Sequence, residues 1–480
     1  MERLLLPAID WLAVLPVGLT ALLGFVLLAL GLFADDDETL GWITLIGLAV
    51  CAVVTACLAG QKSMTFAGTF ALDGYALFFD LLFLVAGMVV VLMSMTYLEG
   101  TGIPAGDYYG LLVFALAGMI VMASANDLIL VFLGLEIMSI SVYVLAGAWR
   151  TQLRSNEAAM KYFLLGAFAT GFLLYGIALV YGATGAFRLD LIAAAAAGAP
   201  HRALMVAGVA MLLVAFGFKV AAVPFHMWTP DVYEGAPTTI TALMAVAVKA
   251  AGFAAFVRVF LHAFAGLHAD WGMLLWVMAA LTMTVGNVLA LVQRNVKRML
   301  AYSSIAHAGY ILVALVASGA AGGAAALYHL LAYSFMTLGA FGVVAALGSV
   351  GEPNEMLDDY AGVGFRRPLL GVTMAIFMLS LTGIPPFAGF TGKFYIFTAA
   401  IRDGYYVLAV IGVLNSAISA GYYIRVLIAM YLTPGAEESG RVARQPYLVT
   451  SIVFSAVMTV LIGVFPALWM QLARLGFLSL

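Results

Sequence analysis

The chain has 480 residues, 65% of them hydrophobic and 9% charged, with a formal net charge of −3 at pH 7. Soluble domains carry about a quarter charged residues, and a single core stops growing well below this length, so the apolar excess calls for lipid as a second solvent. Basic residues are scattered, which excludes a nucleic-acid footprint. Cys51 and Cys57, in one apolar run, are too few and wrongly spaced for an iron–sulfur, zinc or disulfide framework and read as buried inert thiols.

The start, Met1-Glu2-Arg3, has neither a basic n-region nor a small-residue cleavage pattern and reads as mature chain. Spans of about 20 apolar residues are expected at 11–33, 40–60, 75–98, 108–124, 126–148, 157–181, 203–225, 238–262, 271–292, 297–318, 322–349, 368–391, 403–430 and 446–473, fourteen in all. The fold class is therefore an all-α integral membrane protein. The charged clusters between spans (Asp35 to Glu38, Glu352 to Arg367, Glu437 to Arg444) are short. They leave no room for a nucleotide-binding domain, and neither a GxGxxG after a strand nor a Walker loop occurs. Nine Lys and Arg residues fall in loops on one side and six on the other, which places both termini outside the cytoplasm.

Spans 7 and 12 are irregular. The seventh reads FGFKVAAVPFHMW, with Lys219 shortly before Pro224; the twelfth reads LTGIPPFAGFTGKF, with Lys393 shortly after Pro385 and Pro386. Proline removes a backbone donor and clashes with the preceding turn, so both helices should break there. In lipid, the freed carbonyls must face protein or a wet cavity. Two Pro-Phe breaks beside intramembrane lysines, five spans apart, predict two inverted five-helix repeats. The expected division is an N-terminal lead at 1–107 (spans 1–3), a first repeat at 108–262 (spans 4–8), a second, inverted repeat at 271–430 (spans 9–13) and a closing helix at 446–480.

Four of the six lysines, Lys161, Lys219, Lys249 and Lys393, lie inside predicted spans. A charge at the centre of a spanning helix costs roughly 2.5–3.5 kcal/mol on insertion scales and usually marks a pathway. Lys249 sits near the middle of its span and cannot snorkel. Glu136 is equally central, so its carboxylate is either protonated or paired. Lys161 is near its span's end, so snorkelling or an i,i+4 pair with Glu157 stands as an alternative to a place in the proton relay. Ser303, His307 and Tyr310 form a polar stripe suited to passing a proton, and His329 with Tyr333 repeats the idea in span 11. His226, just after Pro224, is a candidate gate. Lysine suits such a relay because its proton affinity responds to burial and to a nearby carboxylate, whereas arginine stays protonated.

Three segments, KVAAVPFHMWTPDVYEGAPTTITALMAVAVKAAGFAAF, QRNVKRMLAYSSIAHAGYIL and LSLTGIPPFAGFTGKFYIF, closely resemble the antiporter-like membrane subunits of respiratory complex I, the bacterial NADH:quinone oxidoreductase. The likeness spans nearly the whole chain. Subunits L and M and multisubunit Na⁺/H⁺ antiporters share the general pattern. Lys393 is unlike M-type subunits, which carry a glutamate there. The chain stops after span 14, without the lateral helix of L-type subunits, and the GIPPF-A-GF-TGKF wording is N-type.

The resemblance implies proton translocation coupled to quinone reduction elsewhere. Glu136 would have Lys161 or Lys219 as its switching partner, Lys249 would be the central lysine, His307 would lie on the connecting axis, and Lys393 would be the terminal donor. It also implies an enzyme subunit without a redox centre: NADH, FMN, iron–sulfur clusters and quinone would sit on the other membrane and peripheral subunits, in a bacterial inner membrane. The alternatives are a multisubunit Na⁺/H⁺ antiporter subunit and a non-pumping membrane scaffold.

Overall fold

The computed structural model describes residues 9–33, 36–196, 201–348, 354–435 and 445–479. The acidic and basic residues expected between 437 and 444 lie outside them. The chain opens with α1 (Trp11–Gly31) and α2 (Asp37–Cys57), then a hairpin of β1 (Ser63–Thr65) antiparallel to β2 (Phe70–Leu72). Next come α3 (Gly74–Tyr97), α4 (Ala105–Ser124), α5 (Leu128–Ala146), α6 (Leu153–Thr184), the short α7 (Leu189–Ala196) and α8 (Arg202–Lys219). After α9 (Trp228–Gly235), α10 (Thr238–Leu243) and α11 (Lys249–Val257) join through a π-helical segment, Met244–Val248. A second π segment, Arg258–Ala263, completes this span. The remainder is α12 (His268–Leu291), α13 (Val296–Val316), α14 (Ala320–Leu347), short α15 (Val363–Arg366), α16 (Pro368–Thr382), α17 (Ala388–Arg402), α18 (Tyr406–Leu432), α19 (Pro446–Val464) and α20 (Pro466–Leu478).

Among the described residues thirteen helices are long and apolar enough to cross a membrane. The bent pair Leu357–Arg366 and Pro368–Thr382, meeting at 119°, brings the number to fourteen. The all-α membrane architecture is thus present, with the broken seventh and twelfth spans, but three expected boundaries shift. The seventh helix ends at Lys219 rather than reaching Pro224. The twelfth continues beyond 391, as α17 runs to Arg402. The closing span, expected unbroken over 446–473, is two helices because Pro466 has no N–H for the Ile462 carbonyl. The Tyr328 hydroxyl donates to that carbonyl instead, at 2.9 Å.

Burial divides the spans into a centre and a shell. The most apolar stretch is wholly buried in 238–263 and in α14, and 94% buried in α13, against 28% in α1 and 33% in α2 and α6. The shell turns side chains such as Phe25, Val53 and Phe168 outward. Cys57 faces outward with them, so only Cys51 is the buried thiol expected of both. The three central spans carry Lys249, His307 and His329.

Candidate functional site

At each break side chains bond to backbone groups of the interrupted helix. At the first, α8 stops at Lys219 and Ala221 takes φ 62°. The Trp228 indole donates to the Phe218 carbonyl at 3.1 Å, and Val223 N donates to Thr282 Oγ1 at 2.9 Å. At the second, Gly383 turns the chain with φ 93°, a conformation glycine adopts freely. The Leu381 and Thr382 carbonyls would ordinarily accept from residues 385 and 386, both proline. Lys393 Nζ donates to these two oxygens at 3.0 and 2.9 Å and to Ser416 Oγ at 2.9 Å. The lysine beside the second break therefore completes it.

Glu136, half-buried on α5, accepts from Thr170 Oγ1 of α6 at 2.8 Å. Ser139, one turn on, accepts from Lys219 Nζ at 2.7 Å, and that ammonium lies over the rings of Tyr143 and Tyr162. Glu136 and Lys219 thus attach to one face of α5 through Thr170 and Ser139, and no ion pair joins them among the described residues. The Lys219 stem packs on the backbone of Gly252, where an added Cβ would stand 3.2 Å from Lys219 Cγ, three residues beyond Lys249.

Lys249 donates to the Ser304 carbonyl at 2.6 Å and also to the Ser304 hydroxyl. On the same helix, α13, Ser303 bonds to Tyr423 OH, which stands 3.4 Å from His307 Nε2. His307 Nδ1 is 3.2 Å from His329 Nε2. Tyr310, one turn beyond His307, lies under Lys393 Nζ, 4.7 Å from its ring centroid. Helix α13 therefore connects the two buried lysines through Ser304, Ser303, His307 and Tyr310. His329 Nδ1 and His226 Nδ1 are buried without a hydrogen-bond partner among the described residues, His226 being half-buried between α8 and α9.

Lys161 stands apart, half-exposed, with Glu157 at 2.7 Å and Asp231 at 2.8 Å. Asp231 also holds Arg298 at 2.8 Å, and Arg298 reaches Glu234 at 2.7 Å. Glu234 lines a cavity of about 430 Å³ with Arg154, Lys297 and Glu355. Lys297, buried there, donates to the Ala236 carbonyl at 2.6 Å and meets Glu355 at 3.3 Å.

The buried charges that the sequence reading does not single out include Asp80, the Asp73–Arg258 pair and the Lys297–Glu355 pair. Arg258 binds Asp73 through two hydrogen bonds of 2.9 and 3.0 Å and lies over the Tyr75 ring. Asp80 is 1% exposed, and its Oδ1 has no partner among the described residues. Asp80 and Arg258 lie inside predicted spans, so the signal that singled out the lysines was present for them as well.

A bundle of spans with two broken helices and an interior row of lysines and histidines defines the antiporter-like class of membrane proteins. Residues 125–419 match the family model described as NADH:quinone oxidoreductase/Mrp antiporter, TM. The chain is 48% identical over 465 residues to NADH-quinone oxidoreductase subunit N of Trichlorobacter lovleyi, covering 96% of each chain. It is 46% identical to subunit N of Chloroflexus aggregans, covering 97% of each. A chain in the structure of respiratory complex I from Thermus thermophilus superposes with a TM-score of 0.82 at 36% identity, over 96% of this chain and 99% of that one. The chain belongs to the subunit N family of NADH-quinone oxidoreductases.

Proposed function

We propose that this chain is the proton-translocating subunit N of a bacterial NADH:quinone oxidoreductase, and that protons cross it along Lys219, Lys249, His307 with His329, and Lys393. Glu136 is the electrostatic switch. The observation that carries the relay is α13: Ser304 holds Lys249, Ser303 and Tyr423 reach His307, and Tyr310 lies against Lys393. Hydroxyls, imidazoles and amines each donate and accept protons, so short intervening waters complete a continuous path.

Glu136 swings between Thr170 and the Ser139–Lys219 side of α5. Its approach strengthens the hold of Lys219 on a proton, and its withdrawal releases that proton toward Lys249. Lys161 belongs to the charged rim with Asp231 and Arg298, beside the cavity floored by Lys297 and Glu355. That rim lies on the side that nine scattered cations mark as cytoplasmic, with the termini on the other. His226, at the first break, gates the Lys219 end. Segments 108–262 and 271–430 are inverted repeats, each bringing one broken helix and its lysine to the row. NADH, FMN, iron–sulfur clusters and quinone belong to partner subunits, whose quinone chemistry biases Glu136.

The test is NADH-driven proton uptake by inverted membrane vesicles. With assembly normal, Lys249→Ala and Glu136→Gln are expected to reduce uptake to background. Wild-type pumping stoichiometry in both assembled variants would make the chain a scaffold. Na⁺-dependent proton flux without an electron donor would instead make it an antiporter.

A further inference from the structure

A cavity of about 700 Å³, larger than the one beside Lys297, lies away from the relay between α3, α14, α19 and α20. Along α3 it runs from Gly74 past Leu77 and Leu81 to Val85, roughly 16 Å at 1.5 Å per residue. Its deep walls are apolar, with Phe335 from α14 and Met458 from α19 facing Leu472 from α20. Polarity is confined to one end, where the loop after α2 supplies Gln61 and Lys62, and Ser479 lies beside Gly74. Lys62 is exposed, and among the described residues it makes no ion pair or hydrogen bond.

That arrangement has a direction. A slot parallel to the spans, apolar at depth and cationic at the membrane surface, matches an acyl chain below an anionic headgroup. A transmembrane segment of a neighbouring subunit would not require a lone cation at the surface end. A soluble anion would not require the apolar depth. We infer that this cavity binds a glycerophospholipid, its acyl chain between α3 and α19–α20 and its phosphate on Lys62.

The probe is phosphatidylglycerol carrying a diazirine on one acyl chain, with the matching phosphatidylcholine as comparison, photolysed with the assembled complex in nanodiscs. Labelled peptides are expected to map to 77–85 and 454–472. Lys62→Glu, at an exposed position that leaves the core untouched, is expected to lower phosphatidylglycerol labelling roughly fivefold, since a surface cation adds a modest attraction for anionic lipid. Phosphatidylcholine labelling should barely change. Val85→Trp, which fills the slot, should suppress labelling by both lipids. The inference is overturned if these peptides stay unlabelled, if they crosslink to another subunit, or if Lys62→Glu leaves phosphatidylglycerol labelling intact.

Discussion

Lys219, Lys249 and Lys393 end on hydroxyl or carbonyl oxygens, whereas Lys161 ends on the carboxylates of Glu157 and Asp231. A contacting carboxylate fixes the ammonium form by favouring the charge. Neutral oxygens accept hydrogen bonds from an amine as well as from an ammonium, so Lys219 and Lys249 can keep their partners in either protonation state, and Lys393 keeps two of its three as donor. Lys393 adds a structural duty, because it supplies the Leu381 carbonyl with a donor and shares the Thr382 carbonyl with the Ser416 hydroxyl, where Pro385 and Pro386 have no N–H to offer. Each buried acceptor left unsatisfied costs about 1–3 kcal/mol. Lys393→Ala should therefore lower the thermal stability of the complex and abolish pumping together. Lys393→Arg retains donors for the two carbonyls but does not give up its proton. The complex should assemble with Lys393→Arg while NADH-driven proton uptake falls to background, and wild-type uptake in that variant would remove Lys393 from the relay.

At the scale of elements, the breaks were legible because proline acts locally: a missing N–H and a steric clash need no tertiary knowledge. What completes each break was not legible, since Trp228 and Lys393 meet carbonyls that only the fold brings near. The π segments flanking α11 were invisible for a related reason. MAVAV and RVFLHA carry no proline or glycine that would mark a widened turn, and the π turns lie in a wholly buried span. The β1–β2 hairpin is too short to show an alternating pattern. Arg258 and Asp80 are legible by the same rule as the lysines, as ionisable residues inside apolar spans. Trp228 offers a clean test at this scale, because its indole stacks on Tyr162 at 4.4 Å while its N–H caps Phe218. Trp228→Phe keeps the stack and removes the donor. The Phe218 carbonyl keeps the Ala221 N–H at 3.1 Å, so we expect faster amide exchange across 218–224, a stability loss of about 0.5–1.5 kcal/mol, and weakened pumping through a displaced Lys219. Unchanged exchange there would mean the indole does not secure the break.

Across the whole molecule, the residues of the proposed relay lie in the buried centre, while α1 and α2 present much of their apolar surface outward and must be tied to that centre. The Asp73–Arg258 pair makes one such tie. Asp73 caps α3 by accepting from Ala76 N at 2.7 Å, and the same carboxylate holds Arg258 at the end of the span bearing Lys249. Such pairs contribute little net stability, because desolvation offsets the attraction, but removing one partner strands a buried charge at a cost of about 3–5 kcal/mol. Arg258→Met should therefore destabilise the complex severely, as measured by its melting temperature and its recovery on native gels. Asp73→Asn keeps the helix cap, since asparagine is as good an N-cap as aspartate, and removes the charge. Combined with Arg258→Met it should restore most of the lost stability, giving a large favourable coupling in the double-mutant cycle. If the double variant is as unstable as the sum of the singles, the pair is not a charge-compensated tie, and the lead must be held by apolar packing alone.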